Sequence, residues 1–255
     1  MTGVTLSALV VAHDEEARLA DCLAALAFAD ERVVALDRCT DGSKAIALAA
    51  GARILEGAWP IEADRRNAGI AACAGSWILE IDADERVTPE LAAEIRRTIE
   101  ASDAGWHLIP VDNYVGKHLV RHGWGGSFGT SAVPRLARSG VKRWGAARVH
   151  PPIALDGREG SRLTHALVHL VDRDISDMIR RLDRYSSAKA ADLRERGDPD
   201  PTLRYVRRFF TRFLHCYLRR RGYREGGWGI LIALMAGLYP LLSHLKAKLE
   251  PDGER

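Results

Sequence analysis

Two aspartates one residue apart, Asp82 and Asp84, close an apolar run from Trp77 to Ile81. A run of that length, bounded by Gly75 and charge, reads as a buried strand. Unpaired carboxylates at the end of such a strand are costly, so they need a reason. In open α/β sheets, ligands bind outside the carboxyl ends of strands. A carboxylate pair there can hold a divalent cation and the phosphate it neutralises. Two earlier apolar runs also end in acid. Thr5 to Ala12 is followed by His13-Asp14-Glu15-Glu16, and Arg32 to Leu36 by Asp37-Arg38-Cys39-Thr40-Asp41-Gly42-Ser43. Three acidic strand ends on one rim would suit a ligand with hydroxyls, phosphate and a metal.

The elements that would position these residues alternate. Helical patterns over Ala17–Phe28, Lys44–Ala50 and Ile61–Ala74 separate apolar strands, with a third short strand at Ala52–Leu55. Thr88-Pro89-Glu90-Leu91 opens a further helix with a capping residue and a proline at the first position. Strand and helix alternating in this way predict a doubly wound α/β sheet. No Gly-x-Gly-x-x-Gly follows the first strand, and no Walker loop is present, which excludes the usual dinucleotide and P-loop classes.

Past residue 105 the pattern changes. Trp106–Val111, Val133–Leu136 and Val141–Trp144 read as strands, and the run from His122 to Gly129 as a flexible loop. Leu163–Val171 alternates, which predicts His165, Leu167 and His169 on one strand face as hydrogen-bonded structural histidines. A helix over Ile175–Arg196 ends at Gly197-Asp198-Pro199-Asp200-Pro201. Beyond it, Leu203–Arg221 is a helix of arginines and aromatics, and Trp228–Leu249 an apolar helix too short and interrupted to span a bilayer comfortably. That pair suits attachment to an anionic membrane face. The expected division is residues 1–172 (1–104 and 105–172) as one domain and 173–255 as a helical extension.

With 37 basic and 34 acidic residues the formal charge is only +3, too small to imply a nucleic-acid partner. Four widely spaced cysteines form no Cys-x-x-Cys pair, which suits a reducing compartment. The opening apolar run lacks a basic leader, so the expected location is the cytoplasm, peripheral at the inner face of the cytoplasmic membrane.

The chain resembles the family 2 glycosyltransferases in Val10 to Glu16, Asp37 to Ser43, Arg66-Asn67-Ala68-Gly69 and Gly75 to Glu85. The stretches His122-Gly123-Trp124, Pro134-Arg135-Leu136, Val149-His150, Leu167-Val168-His169 and Asp183-Arg184-Tyr185-Ser186 are similar to the branch that decorates lipopolysaccharide inner core. The resemblance implies a GT-A fold with a mixed sheet, a nucleotide-sugar donor such as UDP-glucose, Mg²⁺ or Mn²⁺, a glycan or glycolipid acceptor, and inversion at the anomeric carbon. By position it implies that Ala12, Asp14 and Glu16 line the nucleoside pocket. Asp37 would meet the base with Asp41 nearby, and Arg66 would face the diphosphate. Asp82 and Ala83 would approach the ribose or sugar, and Asp84 would ligate the metal.

Two positions depart from the resembled pattern. Members usually carry asparagine at the place of Asp14. The lipopolysaccharide branch has His-Glu where this chain has His150-Pro151, so the general base is to be sought among His150, Asp156 and Asp112. His150 ranks first by its matched position and is also a candidate metal ligand, while Asp82 is a further catalytic candidate. Two other readings compete: a nucleotidyltransferase on sugar phosphates, disfavoured by acid where a basic glycine loop is needed, and a non-catalytic membrane or polyanion binder led by the arginine helix.

Overall fold

The computed structural model describes residues 3–125, 130–146, 152–197 and 200–250. Contacts divide it into two units. The first takes in residues 3–112, 132–146 and 152–169, the second 113–125, 130–131 and 170–250. The boundary expected after residue 172 therefore lies elsewhere. Residues 113–125 and 130–131, expected in the acceptor half, cluster with the helices.

The first unit begins with strands β1 (Leu6–Ala12), β2 (Glu31–Asp37), β3 (Arg53–Gly57) and β4 (Trp77–Asp82). Helices α1 (Glu16–Ala25), α2 (Ser43–Ala49) and α3 (Glu62–Ala72) separate them. The short β5 (Glu85–Arg86) and α4 (Pro89–Ala101) follow. Next come β6 (Trp106–Val115), whose end lies in the second unit, then β7 (His118–Val120), β8 (Ala132–Arg138), β9 (Lys142–Trp144) and β10 (Ile153–Leu155). The sheet runs β3-β2-β1-β4-β8-β6; the first four strands are parallel, and β8 is antiparallel to both β4 and β6. The doubly wound α/β expectation thus stands with a mixed sheet.

β1 is buried at all seven positions, because parallel strands in the middle of such a sheet are covered on both faces. The core joins Leu6, Val10, Leu36, Trp77, Leu79 and Ile81 to Leu19 and Leu23 of α1 and Leu91, Ile95 and Ile99 of α4. Thr88 caps α4 as expected, accepting the Leu91 N–H at 3.3 Å, with Pro89 in the first turn. The last strand, β11 (Leu167–Asp172), begins two residues after His165, so that histidine is not on its face. It instead holds Glu94 through Nδ1 at 2.8 Å. His169 is on β11 and pairs with β5 opposite Glu85.

The second unit is helical: α5 (Ile175–Arg196), α6 (Thr202–Leu214) and α7 (Gly227–Leu249), with a π-helical turn at His215–Arg219 and a 3-10 turn at Gly222–Glu225. α5 ends as the sequence predicts, at Gly197 with φ of +64°. Its core gathers Met178, Leu182, Cys216, Ile232, Met235, Ala236, Tyr239 and Trp124. Backbone approaches backbone at Gly229: a Cβ there would lie 1.8 Å from the Gly222 carbonyl oxygen. The described part of the glycine-rich run is held rather than loose. Glu225 accepts the N–H groups of Arg121 and His122 at 3.1 and 2.9 Å, the Trp124 indole donates to Val120 O at 2.6 Å, and Arg220 donates to Trp124 O at 2.7 Å. The apolar helix expected over Trp228–Leu249 forms as Gly227–Leu249 and runs through Gly237 and Pro240. By length and composition it could cross a membrane, yet 56% of its most apolar window is buried.

Candidate functional site

The carboxyl ends of β2, β1 and β4 lie side by side, since Ala12 pairs with Leu36 and Val11 with Asp82. The three acidic strand ends expected on one rim are therefore brought together. They are built in two different ways.

After β1 and β2 the carboxylates hold backbone. Asp14 has φ of +53°, and Arg38, just past β2, has φ of +50°. Left-handed non-glycine residues are uncommon, and asparagine and aspartate tolerate the region best. The Asp14 carboxylate accepts the Thr40 N–H at 2.7 Å and the Asp41 N–H at 3.3 Å. Asp41 accepts from the N–H groups of Glu16 and Ser43 at 2.9 and 3.0 Å, and Glu16 accepts from Gly42 at 2.7 Å. His13 Nδ1 meets the Asp37 carbonyl at 2.6 Å. The two loops are thus cross-tied, with Asp14 and Glu16 exposed and Ala12 buried beneath them. Asp37 is buried, accepts the Trp59 N–H at 3.1 Å and is gripped by Arg38 at 2.8 and 3.0 Å. Burial raises its pKa, but Arg38, Trp59 and Arg65 outweigh it and lower the carboxyl below its ordinary value. Arg65 reaches Asp37 at 3.6 Å, and its Nε is buried with no hydrogen-bond partner among the described residues.

After β4 the carboxylates are balanced by cations. Arg66, 7% exposed, contacts Glu62 at 2.6 Å, Glu80 at 2.5 Å and Asp82 at 2.9 Å. Arg135 on β8 joins Asp82 to Glu85, the latter at 2.8 Å, and Asp82 N–H donates to Glu85 at 2.9 Å. Lys142 on β9 meets Glu80 at 2.6 Å, and the Trp144 indole donates to Glu80 at 3.0 Å while its ring lies under Arg66, 4.8 Å away. Asn67 fastens Trp144 by both backbone groups, at 2.8 and 2.9 Å, so Arg66-Asn67 builds one wall with β9. Burial would raise the pKa of Asp82, but Arg135 and Arg66 hold it far below the carboxylate range. Burial likewise works against Glu80, which Lys142, Arg66 and Arg135 bring down to about 2. Arg66 was expected to face a diphosphate; its guanidinium is occupied by three carboxylates of its own chain.

Asp84 stands apart from that network. Its carboxylate lies 3.5 Å from His169 Nε2 and 3.6 Å from Arg18, and its side chain is 26% exposed. Burial disfavours protonated His169, but the hydrogen bond and charge of Asp84, with Glu85 and Asp82 behind, raise its pKa above the ordinary value. An imidazole nitrogen beside an accessible carboxylate is a donor set that divalent metals accept. Ala83, between the two aspartates, is buried.

The remaining candidates separate. Asp112 lies on β6 beyond Ile109, which faces Val133; extending the β4–β8 register puts Val133 level with Asp82, so Asp112 runs past the rim. Asp156 is at the other end of the sheet: its carbonyl oxygen would be 2.9 Å from a Cβ at Gly105, which precedes Trp106, and Trp106 pairs at the level where β4 begins. The structure does not bring Asp156 to the acidic rim. His150 and Pro151 fall outside the described residues. Sequence reasoning gave no role to Arg135, Lys142, Glu80, Glu85 or Arg18, and left His169 as structural. The hint for Arg135 and Lys142 was basic residues inside short strands, where a buried cation needs a buried anion.

Residues 7–154 match the family described as glycosyl transferase family 2. The chain is 27% identical to a lipopolysaccharide core biosynthesis glycosyltransferase, LpsC, of Rhizobium meliloti, over 94% of this chain and 91% of that one. It is 30% identical to an uncharacterized glycosyltransferase of Rickettsia felis, over 46% of this chain and 40% of the other. Among solved structures, S. aureus TarS 1-349 shares the fold at 14% identity and a TM-score of 0.52, covering 88% of this chain and 75% of that one.

Proposed function

This chain belongs to glycosyl transferase family 2, and on that premise we propose that it moves a sugar from a nucleotide-sugar donor, UDP-glucose or a close analogue, to a hydroxyl of a lipopolysaccharide-core or other cell-envelope glycan. The fold and the enzyme class follow from family membership; the donor, acceptor and residue roles are the proposal. The observation that carries it is Asp84 beside His169 at the mouth of β4, partly exposed and outside the ion network that absorbs Asp82.

In this reading Asp84 and His169 hold Mg²⁺ or Mn²⁺. The bound cation would neutralise charge on the leaving diphosphate. The protein does the rest. The cross-tied loops of Asp14, Glu16 and Asp41 present a fixed edge over Ala12 to the nucleoside, and Asp37 meets the base. Arg65, whose one carboxylate contact among the described residues is Asp37 at 3.6 Å, is freer to meet an anionic donor at this edge than Arg66, which three carboxylates hold. Asp82, held between two guanidiniums, stays ionised and can accept from ribose or sugar hydroxyls without reorganising, which is how preorganised sites lower barriers. The acceptor hydroxyl attacks the anomeric carbon from the face opposite the leaving group and gives its proton to a base, for which His150 ranks first by its matched position and Asp112, on the strand that continues past the rim, is the second candidate.

The likeness to LpsC over nearly the whole chain supports the envelope-glycan acceptor. With that acceptor comes the rest of the proposal, a cytoplasmic enzyme peripheral at the inner face of the cytoplasmic membrane, with no nucleic-acid partner. The test is hydrolysis of a panel of nucleotide sugars, with and without Mn²⁺, followed by transfer to extracted glycolipid. Metal-independent turnover, or none with any nucleotide sugar, would sink this reading.

A further inference from the structure

The arginine-rich helix is apolar on two sides, and only one side is used. Tyr205, Phe209, Phe213 and Cys216 turn inward within the second unit; Phe209 packs so closely on α7 that a Cβ at Gly237 would lie 2.8 Å from its carbonyl oxygen. On the outward side, Leu203, Phe210, Leu214 and Leu218 are 76, 57, 50 and 55% exposed. Leu203, Phe210 and Leu214 are spaced i, i+7, i+11, which keeps them on one face, and Leu218 continues it into the π-helical turn. Arg207 is exposed on that same face at i+4, and Arg204, Arg219, Arg221 and Arg224 are exposed close by in sequence. Arg204 is paired with Asp200, whereas Arg207, Arg219, Arg221 and Arg224 have no carboxylate partner among the described residues. A soluble surface rarely leaves large apolar side chains this exposed in a row.

We propose that this face of α6 and the following turn lies in the interface of an anionic phospholipid bilayer, the four apolar side chains entering the headgroup boundary and the arginines meeting lipid phosphates. Apolar residues flanked by exposed guanidiniums complement that surface in both chemistry and charge. It narrows the membrane attachment included in the proposed function, and rests on that reading only for why an envelope enzyme needs the contact. It also reassigns the anchor. The apolar helix α7 buries Ile232, Ala233, Met235, Ala236 and Tyr239 against the rest of the unit, so it serves as core, and the amphipathic α6 makes the contact.

The experiment is flotation of the full chain with phosphatidylcholine vesicles, with and without phosphatidylglycerol. The expected result is binding to the anionic vesicles that weakens with salt. It should fall about 10-fold or more in Phe210→Ser/Leu214→Ser, and roughly 5-fold per arginine in Arg207→Gln and Arg219→Gln. These positions are exposed, and an unchanged circular dichroism spectrum and rate of nucleotide-sugar hydrolysis verify that the variants fold. Three results overturn the proposal: no flotation of the unaltered chain, equal flotation of the double variant, or a dimer in solution that the double variant dissociates. Retention of the chain in carbonate-washed membranes also overturns it, in favour of α7 as a spanning segment. Flotation without hydrolysis of any nucleotide sugar would retire the glycosyltransferase reading and leave the docking face standing; hydrolysis without flotation does the reverse.

Discussion

The two halves of the acidic rim use the same residue type for opposite purposes. At the ends of β1 and β2, Asp14, Glu16 and Asp41 accept from neutral backbone N–H groups and shape two loops, and only Asp37 is also held by arginines. At the end of β4, Glu80, Asp82 and Glu85 face Arg66, Arg135 and Lys142 in a largely buried network. A neutral hydrogen bond contributes about 0.5–1.5 kcal/mol net, whereas breaking a buried ion pair by removing one partner costs about 3–5 kcal/mol. The first half is therefore soft to substitution and the second brittle, with Asp84 belonging to neither.

That contrast can be broken in several places. The largest effect is expected at Asp84: Asp84→Ala should lower transfer about 1,000-fold while the unfolding transition stays put, because several kcal/mol of charge stabilisation at the leaving group is lost. Chelation should do the same to the unaltered enzyme, and Mn²⁺ should restore it. If Asp84→Ala keeps full activity with added metal, the site is misassigned.

Arg135→Met comes next. It leaves Glu85 without its buried cation and Asp82 with Arg66 alone, and should cost about 3–5 kcal/mol in denaturant unfolding. A loss below 1 kcal/mol would mean that the network relaxes as easily as the loops do. His169→Ala removes a proposed ligand and should weaken metal affinity by at least the roughly 10- to 100-fold that losing an outer partner costs; unaltered affinity in a titration would return His169 to a purely structural role.

The network also sets a pH dependence. Glu80 has a folded pKa of about 2 against 4.5 unfolded. The unfolded chain therefore takes up the proton first, and this part of the stability is complete above the unfolded value and drains away as pH falls toward about 2. Glu85 works the other way, since burial and then Asp82 raise it against the pull of Arg135. Thermal unfolding across that range should show a shallower acid slope in Glu80→Gln than in the unaltered chain; an identical slope would remove Glu80 from the account. The smallest effect belongs to the soft half. Asp14→Asn is nearly isosteric, keeps an acceptor for Thr40, and should change stability by no more than about 1 kcal/mol.

Much of the architecture could be read in advance because it depends on local pattern. Thr88-Pro89 announces α4 through a cap and a proline, and the bounds of α5, Ile175–Arg196, coincide with the expected ones. The acidic strand ends were equally visible, since each follows an apolar run. The partners were not. Arg135 lies 53 residues from Asp82 in the chain, and only the antiparallel insertion of β8 beside β4 brings them together. Likewise Glu85 and His169 become neighbours only when β11 pairs with β5. For α6 only half was legible: composition announced an arginine-aromatic helix, but which aromatic side is covered depends on α7 packing against it.

The seam where Gly229 meets the Gly222 carbonyl has a practical consequence for anyone screening this enzyme by random mutation. Any side chain at Gly229 must push α7 off the turn it rests on, so nearly every substitution there should register as a dead clone. Position 229 would score as heavily as Asp84 in an activity screen, although the glycine has no side chain with which to meet a ligand. A map of intolerant positions would thus mark two kinds of residue alike, and only a parallel measure of soluble folded protein would tell the hinge pin from the tool.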